Sequence, residues 1–336
     1  MTILITGAAG FIGFHLANTL LERGEQVIGV DNLNDYYDPA LKHARLKQLE
    51  PYAANKQWRF IQTDISNKAA FENALLPDGN AIHQIVNLAA QAGVRYSLEN
   101  PYAYLDSNVT GQLNILEFCR HHTPNLEQLV YASSSSVYGG NQNIPFSIED
   151  KVDSPVSLYA ATKGAGELIT HSYSHLYQIP SVGLRFFTVY GPWGRPDMAY
   201  FLFTKAITTN NPIRLFNHGD MKRDFTWIDD IIAGVIACID RKPAYNLLKT
   251  NPNTPPHLRY NLGNNRCETL GHFVETLEKA IGKKALKKME PMQAGDVYQT
   301  YANIDASIAD LGYSPATTIE EGLPKFVEWY RTFYNT

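Results

Sequence analysis

The sequence predicts an α/β protein: a doubly wound parallel sheet joined to a second, smaller α/β region. Three observations predict it. Short β-rich runs alternate with helical patterns through the first half of the 336 residues. Glycines stand at positions 7, 10 and 13, between the first run and the first helical pattern. The acidic Asp31 closes the second run. Strands that alternate with helices pair in parallel, because each parallel pair needs a crossover and a helix supplies it. Helices on both faces then bury the sheet.

TILIT (Thr2–Thr6) reads as a buried strand, and the pattern that follows as a helix from about Phe11 to Arg23. QVIGVDN (Gln26–Asn32), RFIQTDI (Arg59–Ile65), IVNLAA (Ile85–Ala90) and EQLVYASSS (Glu127–Ser135) are the next four strands. Helical patterns such as Thr110–His121 lie between them. After Arg185 the regularity weakens: Pro, Gly and Asn cluster in Val189–Asp197 and again in Lys249–His257. Ile228–Asp240 looks helical and is expected to pack back on the first part. The expected division is therefore residues 1–185, with 224–241 added, and residues 186–336, with an interleaved boundary. There is no internal repeat and no low-complexity tract.

Composition narrows the function. The chain is 44% hydrophobic and 18% charged, ordinary for a globular protein with a sizeable core. A net charge of −4 leaves no electrostatic footprint for nucleic acid or an anionic membrane surface. Cys119, Cys238 and Cys267 are scattered, which argues against a disulfide framework or a zinc site. MTILITGAAG enters a strand without a signal-like leader, and no apolar run reaches the roughly 20 residues a membrane span needs. The expectation is a soluble, cytoplasmic protein with no membrane partner.

The glycines in TGAAGFIG (Thr6–Gly13) have distinct uses. Gly7 permits a tight turn, Gly10 lets backbone approach a pyrophosphate, and Gly13 allows close helix–sheet packing. The phosphates would then meet free N–H groups and about half a positive charge at the helix N-terminus. Asp31, about 20 residues on, can accept hydrogen bonds from both ribose hydroxyls. A 2′-phosphate there would face a like charge, costing on the order of 4 kcal/mol at 4 Å and an effective dielectric of 20. The expected cofactor is NAD rather than NADP, and residues 1–185 are the expected NAD-binding, Rossmann-like domain. Asp64, closing the third strand, reads either as a contact to the adenine amino group or as a helix N-cap. Phe11, Ile12, Asn32 and Ile65 are the neighbours expected around the cofactor.

Tyr159 and Lys163 are spaced i, i+4 in a segment with helical propensity, so both side chains share one helix face. An ammonium beside a phenol favours the phenolate and lowers a pKa normally about 10. The positive nicotinamide of NAD pulls the same way, giving a general base usable near neutral pH. Ser133–Ser136 follow the fifth strand at the carboxyl edge of the sheet, where a hydroxyl can bond the same substrate oxygen as Tyr159.

TGxxGxxG, the Asp after the second strand, NLAA at Asn87–Ala90, SSS-VYG at Ser134–Gly139 and YxxxK together resemble the extended short-chain dehydrogenase/reductase family. The resemblance spans essentially the whole chain. Within that family, Asp31–Leu46, Leu88–Pro101, Leu184–Ala199 and Arg223–Asp230 look like UDP-glucuronate 4-epimerases. The resemblance implies that Ser134, Tyr159 and Lys163 are catalytic, that Leu88, Ala89 and Ala90 lie at the cofactor, and that Asn108 orders the lysine through water. It places Thr188 and Arg195 in the sugar site and Arg223 on the diphosphate. It also implies a homodimer formed through the helix that carries Tyr159. Membrane-anchored relatives have a long leader, so this chain is expected to be soluble.

The residues themselves favour an acidic sugar. Arg95 and Arg195 lie in loops beyond strands, and a guanidinium binds a carboxylate or a diphosphate bidentately. Ser135 and Ser136 are expected beside Arg195 in holding the carboxylate. The run Ser134-Ser135-Ser136 contains no Asp or Glu, so an acid or base to divert the intermediate is expected to be missing. The expected activity is therefore NAD-dependent 4-epimerisation of UDP-glucuronate to UDP-galacturonate through a 4-keto sugar. The alternatives are a UDP-glucose 4-epimerase, a UDP-glucuronate decarboxylase and, from another class, a non-catalytic NAD-sensing scaffold. His171 and His175, at i, i+4, lack a third ligand and read as exposed or packed histidines; no metal is expected. Lys283–Lys288 reads as a solvated face.

Overall fold

The computed structural model describes residues 1–293 and 295–336. Seven strands form one sheet: β1 (Thr2–Thr6), β2 (Gln26–Asp31), β3 (Trp58–Gln62), β4 (Ile82–Asn87), β5 (Gln128–Ser134), β6 (Ser181–Phe186) and β7 (His257–Leu262). Their order is β7-β6-β5-β4-β1-β2-β3, and every neighbouring pair is parallel. The chain builds outward from β1 to β3, then returns to place β4 on the other side of β1. That reversal opens a crevice at the carboxyl ends of β1 and β4, the position where such sheets bind ligands.

Alternation along β1 shows why both faces are covered. Ile3 and Ile5 join one apolar cluster with Phe14, Leu20 and Ile231, while Leu4 faces another with Phe71, Ile115 and Phe118. Side chains of a strand point alternately to opposite faces, so each face needs its own helical cover. The Phe11–Glu22 and Ile228–Arg241 helices cover the first face, and Lys68–Leu75 and Gly111–His122 the second.

Two strands end three residues short of the expected limits. β3 ends at Gln62 instead of Ile65, and β4 ends at Asn87 instead of Ala90. Beyond those points the chain leaves the ladder and turns over the carboxyl edge of the sheet. The amides of Thr63 and Leu88 make the last bonds, to the carbonyls of Asp31 and Thr6. The residues read as strand ends are therefore loop residues that face the crevice.

The remaining chain forms smaller pairs, Thr188–Tyr190 with Phe225–Trp227, Lys222–Arg223 with Glu268–Thr269, and Ile213–Leu215 with Lys287–Met289. The helices Ala199–Thr208, Leu270–Ile281 and Ile319–Tyr334 pack with them. β7 comes from residues 257–262, inside the stretch 186–336 that the sequence reading gave to the second domain. Its place is set by parallel pairing with β6 from Ser181 to Phe186. The boundary interleaves further than 224–241 suggested, and we assign 257–262 to the first domain as well.

Candidate active site

Two cavities open at the carboxyl edge of the sheet and share Ser134, Tyr159 and Arg195. The first is lined by Gly7, Gly10, Phe11, Ile12, Gly13, Asp31, Asn32, Asp64, Ile65 and Leu88 to Ala90. Gly7 has φ +70°, and a Cβ there would lie 2.7 Å from the Ala89 amide nitrogen. A Cβ on Gly13 would run into the Gly7 carbonyl. Gly10 caps the Phe11–Glu22 helix without a side-chain bond, which leaves the first-turn N–H groups to an anion.

Asp31 is buried at the end of β2. Its Oδ2 accepts the Ala9 N–H at 3.1 Å and its Oδ1 the Leu33 N–H at 2.9 Å. Each carboxylate oxygen has about two acceptor sites, so one per oxygen remains for a ribose hydroxyl. The residue thus also knits the glycine loop to the sheet. Asp64 is not a helix N-cap: Asn67 caps the Lys68–Leu75 helix. Its carboxylate instead accepts Asn32 Nδ2 at 2.8 Å and the Ser66 N–H and hydroxyl at 2.8 and 2.7 Å. Burial alone would raise its pKa, but these bonds outweigh it and hold the carboxyl below its ordinary value. A glycine cradle, an uncapped helix end and a ribose carboxylate fit NAD.

Tyr159, Lys163 and Glu167 lie on successive turns of the Leu158–Tyr177 helix, which Ser157 caps at the Ala160 amide (3.1 Å). Lys163 Nζ donates to the Ala132 carbonyl at 2.9 Å. The effect expected of the lysine on the tyrosine is not what the protein itself provides. Burial raises the Tyr159 phenol above its ordinary pKa, partly opposed by a hydrogen bond with Ser134 and by the charge of Arg195. Burial also lowers the Lys163 ammonium to about 8. Desolvation disfavours the charged form of both groups.

Glu167 holds the Leu158–Tyr177 helix to the sheet. It pairs bidentately with Arg185 of β6, at 2.8 and 2.7 Å, and accepts the Ser133 hydroxyl at 2.5 Å. Arg185 is fully buried, and its Nη1 donates to the Tyr138 hydroxyl at 3.0 Å. The serine run is thereby divided: Ser133 is structural, while Ser134, Ser135 and Ser136 face the second cavity.

That second cavity also takes in Arg95, Thr188, Arg195 and Arg223. Arg95 lies at its rim, 3.2 Å from Asp296 and stacked on Phe216 at 4.6 Å. Arg223 donates through Nη1 to the carbonyls of Lys222 and Tyr298. Burial lowers its pKa from the ordinary value, with Asp296 opposing. Arg195 is not the free cation the sequence suggested. Asp197, two residues on, takes its Nε and Nη2 at 3.0 and 2.6 Å and also accepts the Tyr36 hydroxyl at 3.1 Å. The run Ser134-Ser135-Ser136 carries no carboxylate, but Asp197 and Asp296, from other loops, line the same cavity. Asp197 is committed as an ion: burial would raise its carboxyl, but Arg195 and Tyr36 hold it below its ordinary value.

Asn108 does not line either cavity. Its amide is spent on the Gln91 backbone N–H and carbonyl, at 2.9 and 3.0 Å, and on Thr162 Oγ1 at 3.0 Å. Through Thr162 it braces the Leu158–Tyr177 helix. Arg45, fully buried, was missed altogether. Its five N–H groups go to the carbonyls of Ala9, Trp193 and Gly194 and to the Tyr37 hydroxyl. It ties the glycine loop to the loop that carries Arg195. His15 adds a second tie, bonding the Pro192 carbonyl at 3.0 Å. Burial lowers its pKa to about 4, so the neutral ring donates. His171 contacts His257 rather than His175, at 3.3 Å, and no cluster of metal-ligand side chains occurs among the described residues.

Residues 3–247 match the family described as "NAD dependent epimerase/dehydratase family". Over 99% of both chains the protein is 49% identical to "Protein CapI" of Staphylococcus aureus. It is 47% identical to "UDP-glucuronate 4-epimerase 4" of Arabidopsis thaliana, over 100% of this chain and 76% of that one. The UDP-glucuronic acid 4-epimerase of Bacillus cereus, solved in complex with UDP-glucuronic acid and NAD, superposes with a TM-score of 0.87. That match has 34% identity and covers 99% of this chain and 100% of that one.

Proposed function

The chain belongs to the NAD-dependent epimerase/dehydratase family, and from that premise we propose that it interconverts UDP-glucuronate and UDP-galacturonate at carbon 4. The observation that carries this reading is the meeting of the two cavities at Ser134, Tyr159 and Arg195. NAD, when bound, supplies the hydride acceptor and gives the hydride back within one turnover. Gly7, Gly10, Gly13 and Asp31 would hold it.

Tyr159 takes the proton of the 4-hydroxyl, and Ser134 bonds the same oxygen as it becomes a ketone. Lys163, anchored to the Ala132 carbonyl, keeps its ammonium one helical turn from the phenol. The positive nicotinamide of bound NAD would favour the phenolate form of the buried Tyr159. Arg223 and Arg95, at the far side of the sugar cavity, hold the UDP while the 4-keto sugar turns its other face. The cavity, about 780 Å³, lies within the 300–1,000 Å³ of small-molecule sites. Tyr159 finally returns the proton.

Arg195 meets the substrate carboxylate, with Ser135, Ser136 and Thr188 around it. Losing a charge-assisted hydrogen bond costs roughly 1.5–3 kcal/mol, or about 10- to 150-fold. Arg195→Ala is therefore expected to lower kcat/KM for UDP-glucuronate by that factor and to spare a neutral UDP-hexose. Equal losses on both substrates would place this arginine on the diphosphate or on the fold.

The protein also works as a homodimer. Leu168 and Leu176, on the catalytic helix, and Leu113, on the helix packed beside it, are exposed. Large exposed apolar residues on packed helices suit an isologous interface. Sedimentation is expected to give a dimer for the wild type and a monomer for Leu168→Glu; a monomeric wild type would exclude it. Among the described residues no helix is long and apolar enough to cross a membrane.

A further inference from the structure

The first carboxylate that Arg195 meets is the protein's own. Asp197 grips Nε and Nη2 side-on, and the Tyr36 hydroxyl fixes Asp197 from the loop after β2. A guanidinium has five N–H donors in a fixed plane. Two are spent on Asp197, and Nη1 has no hydrogen bond among the described residues. Only the Nη1/Nη2 edge therefore remains for a ligand. Arg195, Asp197 and Tyr36 all line the sugar cavity with Tyr159.

We propose that Asp197 is a positioning residue that fixes which edge of Arg195 meets the sugar carboxylate, and thereby decides the fate of the ketone intermediate. This rests on the function proposed above. A ketone at carbon 4 makes the substrate a β-keto acid. If the bond from carbon 5 to the carboxylate stands perpendicular to the ketone plane, it can break. Its electron pair then passes into the ketone as an enolate, carbon dioxide leaves, and a proton adds at carbon 5. Return of the hydride to carbon 4 completes the change, in which UDP-glucuronate and one proton give UDP-pentose and carbon dioxide. A guanidinium locked in one plane holds the carboxylate out of that alignment; an unlocked one follows the carboxylate as it rotates. Misplacement by about 1 Å is enough to change rates by 10²-fold.

The test is the ratio of UDP-pentose to UDP-galacturonate formed from UDP-glucuronate by Asp197→Asn holoenzyme, resolved by mass. Asparagine keeps the size and one acceptor but loses the bidentate grip. The ratio is expected to rise at least tenfold over wild type. Because it compares two exits from one intermediate, lower affinity or a smaller folded fraction does not move it. Tyr36→Phe, which removes a single bond from Asp197, is expected to raise the ratio about two- to fivefold, and it decides the matter if Asp197→Asn gives no turnover. An unchanged ratio in whichever variant turns over overturns this inference alone. Absence of UDP-galacturonate with the wild-type protein overturns the proposed function itself.

Discussion

Tyr159→Phe is expected to lower turnover by about 10²–10⁴, the usual contribution of a positioned general base. Phenylalanine keeps the ring, and with it the edge-to-face packing against Tyr104 at 6.0 Å. What it loses is the phenol hydroxyl placed where the two cavities meet. The glycine loop and Asp31 are untouched, so the variant is expected to retain its NAD through purification. Turnover is read by chromatography of UDP-glucuronate and UDP-galacturonate, and NAD content by absorbance of the denatured extract. Activity within a few-fold of wild type would remove Tyr159 from the role of base.

Glu167→Ala should cost about 3–5 kcal/mol of stability, the usual result of stripping one partner from a buried ion pair. Arg185 has no exposure, so its guanidinium would be left charged and buried with the Tyr138 hydroxyl as its remaining side-chain partner. At roughly 2 °C per kcal/mol for a chain of this size, the melting temperature should fall by about 5–10 °C. The loss should depend on pH. Burial would raise the Glu167 carboxyl, but Arg185 and Ser133 outweigh it and hold it below its ordinary 4.5. A depressed pKa means that the pair stabilises the fold above about 4.5 and that this contribution fades as pH falls through the lower, folded-state value. Calorimetry at pH 7 and pH 4 should therefore show a smaller difference between wild type and Glu167→Ala at the acid end. An unchanged melting temperature at pH 7 would contradict the account of this pair.

The sheet and the cofactor loop were legible because their signals are local. Gly7, Gly10 and Gly13 each answer a backbone requirement within a few residues, and a strand followed by a helix reads from periodicity. Tyr159 and Lys163 were legible for the same reason, being one turn apart. Glu167 continues that spacing, one turn beyond Lys163, and could have been found by following the helix face toward the sheet. Asp197 was equally near, two residues from Arg195, but a loop sequence does not say where its side chains point.

Other features depend on tertiary placement and left no local trace. Arg45 looks like any solvated helix arginine, yet it lies fully buried with carbonyls of two distant loops around it. β7 follows a Pro/Asn-rich stretch and carries no strand signal of its own; pairing with β6 assigns it to the main sheet. The raised pKa of the Tyr159 phenol in the protein alone comes first from desolvation, which residue spacing does not reveal.

The central claim is that this site oxidises carbon 4 of UDP-glucuronate and returns the hydride to the opposite face while the carboxylate is kept. It is tested most directly by long incubation of the wild-type protein with UDP-glucuronate, followed by mass-resolved chromatography. UDP-galacturonate, equal in mass to the substrate, is expected as the dominant product, with UDP-pentose at most a minor leak. Dominant UDP-pentose would contradict it and make the protein a decarboxylase.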